Sequence, residues 1–210
     1  MKLYDAAWAP SPRKVRIYLA EKAVGIERVT IDLKADEQLG DAYLAINPRG
    51  TVPALLLDDG TVIDDSVAIC RLIEALHPDP PLFGRAPREI GLIEAWTRRI
   101  EAEGYAAIVY AFRNAAPHFA GRALSGKWPE MPQIPALVER GRAMWDCFTE
   151  ALDTRLAESE WVAGDAYSFA DIVALVGVDF ARAARLPPAI ERPHVARWHA
   201  AASARPSAHA

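Results

Sequence analysis

Apolar positions follow two different periods along this chain, and the change between them falls near residue 78. Met1 to Asp5 is short and half apolar, and Pro10 and Pro12 interrupt it. Val15 to Lys22 then continues with helical spacing until Gly25 supplies a stop. Glu27 to Leu33 sets Val29, Ile31 and Leu33 against Arg28, Thr30 and Asp32, the period of two expected of a half-buried strand. Strand, helix and strand in that order imply a βαβ crossover. A short helical stretch from Glu37 to Ala45 follows, and two apolar runs flanking Asp58-Asp59-Gly60 predict a β-hairpin. Ser66 stands where an N-cap belongs ahead of Val67, Cys70, Ile73 and Leu76, so a helix closes this part.

His77 to Pro87 carries Pro78, Pro80, Pro81 and Pro87, none of which suits a helix interior or a central strand. Beyond it every strong pattern is helical. Ile93, Trp96, Ile100, Ile108 and Phe112 recur at that spacing, as do Leu137, Trp145, Phe148, Leu152 and Leu156. Ser168-Phe169-Ala170-Asp171 has the form of a capping box ahead of the apolar run Ile172 to Phe180, the expected buried central helix. The expected organisation is an α+β domain over 1–78 in βαβ-ββα order, a linker over 79–87, and an all-α helical bundle domain over 88–210.

Composition narrows the partners. With 51% apolar residues there is material for buried cores without staples. The 28 acidic and 24 basic residues are well mixed, so no basic stripe exists to neutralise a phosphate backbone, and nucleic acid is not an expected partner. The two cysteines, Cys70 and Cys147, form no CxxC spacing, which points to a reducing cytoplasm rather than a disulfide framework or a zinc site. The first residues lack the apolar core of a signal peptide and no 18-residue apolar run occurs, so neither that export route nor a membrane span is expected. His77, His194, His199 and His209 are scattered, and no metal site is expected from them.

Two short motifs carry chemistry. In Thr51-Val52-Pro53 the proline precedes the hairpin strand, where it has no amide to donate. A cis Val52–Pro53 bond would leave the Val52 amide and carbonyl open to an extended peptide, whereas a trans proline would simply open the strand. Asp65-Ser66 stands at a helix N-terminus, where free amides and the dipole favour a carboxylate and Asp65 can accept from an ammonium. The bland alternative makes Ser66 an N-cap and Asp65 a first-turn charge.

Taken together, Asn47-Pro48-Arg49-Gly50-Thr51-Val52-Pro53-Ala54-Leu55 and Asp65-Ser66-Val67-Ala68-Ile69 resemble the glutathione-site signature of cytosolic glutathione transferases. The Ser168 to Asp171 box and Ser11-Pro12-Arg13-Lys14-Val15-Arg16-Ile17 extend the resemblance over essentially the whole chain. It implies a thioredoxin-like first domain and a helical second one. It also implies glutathione as co-substrate and a homodimer in the cytoplasm. Val52 would pair with the cysteinyl backbone, Pro53 would be cis, and Asp65 and Ser66 would hold the γ-glutamyl end. Gln38, with Lys34 or Arg49, would meet the glycyl end. Trp8, Tyr105, Phe112 and His118 would line the site of a small hydrophobic electrophile.

The chemistry needs a donor beside the glutathione sulfur, because the thiolate is the nucleophile. Here the sequence departs from the family, since the position of its active serine or cysteine falls on Ala9. Ser11 is the nearest hydroxyl, and it either reaches the sulfur or caps a helix beginning at Pro12. Tyr4 on the first strand, His118 or Asn114 from the bundle, directly or through water, or a backbone amide of the Ala9 to Ser11 loop are the other donors. No cysteine lies between Ala6 and Arg13, so a glutaredoxin-like mechanism has no nucleophile. The expected activity is conjugation of the glutathione thiolate to small hydrophobic electrophiles. Alternatives are a peroxidase, isomerase or dehalogenase variant, or a non-catalytic glutathione-binding or interaction module.

Overall fold

The computed structural model describes residues 1–210, which cluster into two units. The first comprises Met1–Pro80 together with Leu124–Pro129 and Ala210. Its elements are β1 (Lys2–Asp5), α1 (Pro10–Glu21), β2 (Glu27–Thr30), a 3-10 turn (Glu37–Leu39), α2 (Asp41–Leu44), β3 (Ala54–Leu56), β4 (Val62–Ile63) and α3 (Ser66–Leu76). The sheet order is β2-β1-β3-β4. β1 pairs parallel with β2 and antiparallel with β3, which pairs antiparallel with β4. This is the expected βαβ-ββα arrangement.

Successive strand residues face opposite sides of a sheet, and the unit has a core on each side. Leu3 and Leu55 are fully buried, as are Ile17 and Tyr18 on α1 and Ile69, Cys70 and Ile73 on α3, and those two helices pack together. Tyr4, Ile31, Tyr43 and Ala54 form a second cluster, joined by Val29, Leu33 and Val52. The strand expected over Glu27 to Leu33 ends at Thr30, yet Val29, Ile31 and Leu33 reach the same cluster as their alternation requires.

α1 begins at Pro10 rather than Pro12. Pro10 and Pro12 both fall in the first turn, where a missing N–H costs no intrahelical bond. The helix ends without help from Gly25. Ala23 takes the left-handed conformation at φ +53, and Val24 N–H reaches back to Leu19 O at 3.0 Å while Ala23 N–H reaches Ala20 O at 3.1 Å.

In the second unit, Pro81–Ala123 and Glu130–His209, every element is a helix or helical turn. It contains α4 (Pro87–Arg99), a π turn (Ile100–Tyr105), α5 (Ala106–Ala115), α6 (Pro135–Ala157), α7 (Phe169–Phe180) and α8 (Pro193–Ser203). Every residue of α7 from Phe169 to Val178 is buried. Asp171 anchors that helix. One carboxylate oxygen accepts from Ser168 N–H at 2.9 Å and the Ser168 hydroxyl at 3.0 Å. The other accepts from Val162 N–H at 2.9 Å and Trp198 Nε1–H at 2.8 Å. Ser168 and Asp171 thus pair as the expected capping box, the serine hydroxyl also donating to the carboxylate, and burial still pushes the Asp171 carboxyl above its usual range. No helix is long and apolar enough to cross a membrane.

Candidate functional site

The segment before β3 is built to hold a backbone still. Asn47 is buried, and its side-chain amide donates to Thr51 O at 2.9 Å and to the Thr51 hydroxyl at 3.2 Å. The Tyr43 hydroxyl donates to the same carbonyl at 2.6 Å. Burial pushes the Tyr43 phenol up to about 12, so it stays a neutral donor at neutral pH. Gly50, at φ +61, closes the turn with its N–H on Asn47 O at 2.9 Å. The next residue but one is Val52, and the Val52–Pro53 bond is cis. No hydrogen bond of the protein uses the Val52 amide or carbonyl, because regular pairing begins only at Ala54. A half-buried main-chain edge is therefore open to an extended peptide.

Beyond the hairpin, Asp65 rather than Ser66 is the N-cap of α3. Its backbone is extended, and its Oδ1 accepts from Val67 N–H at 2.8 Å and Ala68 N–H at 3.0 Å. Both residues are good caps, so the sequence alone sets the boundary one residue late. The carboxylate divides its work, since its second oxygen has no partner in the protein and the side chain is exposed. Ser66 is buried as the first helical residue.

Arg49 reaches the adjacent Asp64, with Nη1 3.1 Å from Oδ2, so its guanidinium is directed at the acidic end of the site. Lys34 is exposed in the turn after β2, where its backbone N–H donates to Asp32 Oδ1 at 2.9 Å. Gln38 lies in the 3-10 turn; its Nε2 is 3.4 Å from Asp36 Oδ1 and its Oε1 is buried without a partner.

The loop after β1 is held from below. Arg16, buried on α1, donates to the Asp5 carboxylate at 2.6 Å and to Ala7 O at 2.8 Å. Ala9 is the N-cap of α1 and has no side-chain donor, while Ser11 is the second helical residue. Ser11 is therefore not the cap of a helix starting at Pro12. Arg13 N–H is taken by Ala9 O at 3.2 Å, and Pro10 and Pro12 have no N–H. Tyr4 sits in the core cluster, its ring 5.7 Å from that of Tyr43. Cys70 is fully buried, which pushes its thiol up and leaves it unreactive.

Trp8 is exposed in the first unit. In the second, Phe112 packs edge-on against Phe119 and Phe180, and His118 packs on Phe119 with its Nε2 3.2 Å from Arg122. Phe112 and His118 thus share one aromatic cluster. Tyr105 ends the π turn. Asn114 is buried and committed to structure, with Oδ1 accepting from Ile134 N–H at 2.9 Å and Nδ2 donating to Tyr110 O at 3.0 Å. Sequence reasoning passed over Tyr43, Asn47 and the Arg16–Asp5 pair as functional supports. Asn47 and Arg16 left a signal, each lying inside a motif, whereas Tyr43 and Asp5 left none.

Residues 8–76 match the family model of the glutathione S-transferase N-terminal domain, and residues 142–206 that of the C-terminal domain. Over 213 residues the chain is 35% identical to glutathione S-transferase 2 of Saccharomyces cerevisiae, covering 99% of this chain and 87% of that one. The crystal structure of Gtt2 from S. cerevisiae superposes with a TM-score of 0.88 at 35% identity, covering 99% of this chain and 98% of that one. A glutathione S-transferase domain-containing protein of Marinobacter aquaeolei VT8 gives 0.87 at 33% identity, covering 99% of each chain. With matches in both units and similarity along nearly its full length, the chain belongs to the glutathione S-transferase family.

Proposed function

We propose that the chain conjugates the thiolate of glutathione to small hydrophobic electrophiles as a cytoplasmic homodimer. The observation that carries this reading is the unpaired Val52 main chain, fixed through Thr51 by Tyr43 and Asn47. The cysteinyl backbone of glutathione adds there as a short strand. The second oxygen of Asp65 takes the γ-glutamyl ammonium, and Ser66 at the start of α3 takes the neighbouring carboxylate. Ser11, at the start of α1, donates to the sulfur and favours its charged form, which raises the thiolate fraction at neutral pH. The Arg16 brace keeps that loop in place while the thiolate attacks. Gln38 belongs to the glycyl side in this reading.

Calorimetric titration with glutathione, paired with a conjugation assay on a chlorodinitrobenzene, tests the proposal. Binding with turnover supports it; no binding of glutathione at millimolar concentration removes it. One observation favours a second reading, a non-catalytic glutathione-binding module: Ala9 offers no side-chain donor at the family's usual position. Tight binding without turnover across a broad electrophile panel selects that reading. Sedimentation at micromolar concentration showing only monomer removes the homodimer.

A further inference from the structure

One stretch of chain lies where its sequence neighbours do not. Leu124–Pro129 belongs to the first unit, although the chain on both sides of it belongs to the second. The contact is backbone to backbone. Lys127 N–H donates to Arg49 O at 2.8 Å. A Cβ on Gly126, which sits at φ +90, would lie 2.5 Å from Arg49 O and 2.8 Å from Thr51 Cγ2. Gly50 faces the strap from the other side, where a Cβ would lie 3.3 Å from Lys127 N and 3.1 Å from Gln38 O. Two glycines therefore let the strap lie directly on the turn that precedes Val52, beside Gln38. Trp128 Nε1–H donates to Ser125 O at 2.9 Å and folds the strap on itself.

We propose that this strap is part of the glutathione site and that the Lys127 ammonium pairs with the glycyl carboxylate. The inference rests on the glutathione reading given above. Glutathione carries two carboxylates and one ammonium at neutral pH. Asp65 and the start of α3 meet the charges of the γ-glutamyl end, which leaves the glycyl carboxylate in need of a cation. Arg49 is engaged at the acidic end, with Nη1 3.1 Å from Asp64. Its carbonyl points to the strap instead, and there Lys127 is exposed and makes no ion pair. The strap thus delivers a cation to the Gln38 side of the Val52 edge, away from the guanidinium's direction.

The test compares glutathione with its glycine-amide analogue, in which the carboxylate is neutral, by calorimetry on the full chain. Lys127→Met is expected to weaken glutathione binding about three- to tenfold, between an exposed ion pair and a charge-assisted hydrogen bond. Binding of the amide should stay unchanged, so the preference for the acid collapses. Gly126→Ala, strained at φ +90, forces the strap off Arg49 and should collapse the same preference at a Tm cost of about 2 to 4 °C. Lys2→Met, which removes an exposed lysine paired with Glu27 at the start of β1, should preserve it. A wild-type acid-to-amide ratio in Lys127→Met overturns the assignment, and so does a collapse in Lys2→Met instead. Failure of the unmodified protein to bind glutathione overturns the glutathione reading and this one with it. Wild-type binding with an unchanged Lys127→Met ratio overturns only the strap.

Discussion

Asp65 performs two tasks with two oxygens, and a pair of substitutions separates them. Oδ1 caps α3 through Val67 N–H and Ala68 N–H, while the other oxygen has no partner in the protein and is assigned to the glutathione ammonium. Asp65→Ala removes both. The lost cap costs about 1 kcal/mol of stability, or a fall of about 2 to 4 °C in Tm for a chain of this size. The lost charge-assisted contact costs about 1.5 to 3 kcal/mol of affinity, about ten- to a hundredfold in Kd. Asp65→Asn behaves differently, because asparagine caps a helix as well as aspartate does. Its side-chain oxygen keeps the α3 amides, whereas an uncharged amide replaces the ligand-facing oxygen. Glutathione titration by calorimetry and thermal melts followed by circular dichroism should show the alanine variant losing both affinity and Tm, and the asparagine variant losing affinity alone. An asparagine variant that binds glutathione like the unmodified protein would refute the ligand role and leave Asp65 as a cap only.

Ser11→Ala should raise the pKa of the bound thiol, by about one unit for each 1.36 kcal/mol of lost thiolate stabilisation; an unchanged midpoint in the thiolate absorbance titration rules Ser11 out as donor. Tyr43→Phe should weaken glutathione binding by loosening Thr51, at a cost of about 1 kcal/mol. It should also alter alkaline stability. The Tyr43 pKa is raised to about 12 in the fold, so the stability lent by its neutral phenol is complete below the ordinary value of about 10 and is lost as pH rises towards 12. Urea melts across that window should show a shallower alkaline decline in the phenylalanine variant, with Tyr18, also pushed up by burial and Glu74, supplying what remains. An identical decline would show that Tyr43 contributes nothing there. Asp171→Ala strands Val162 N–H, Ser168 N–H and Trp198 Nε1–H without an acceptor, so it should cost at least about 3 kcal/mol. A loss below about 1 kcal/mol in denaturant melts would contradict that account of α7.

Much of this architecture is local, and local patterns are what a sequence displays. The alternation of Val29, Ile31 and Leu33, the Asp58-Asp59-Gly60 turn and the apolar run of α7 each report their element directly. Boundaries are less legible, because neighbouring residues compete for one role. Asp65 and Ser66 are comparable caps, and only the extended backbone at Asp65 decides between them. Pro10 and Pro12 look like an interruption, yet both fit the first turn of α1. Long-range supports leave no periodic trace at all. Arg16 reads as one more charge on a helix, although it is buried against Asp5, and nothing in the order of residues places Lys127 on the Arg49 carbonyl.

The central claim is that glutathione adds to the Val52 edge, and a crystal structure of the glutathione complex tests it most directly. The account predicts that the Val52 amide and carbonyl each lie about 2.7 to 3.2 Å from the cysteinyl backbone of glutathione. It also predicts the γ-glutamyl ammonium on the second oxygen of Asp65. Glutathione held elsewhere, with the Val52 main chain still unpaired, would contradict it.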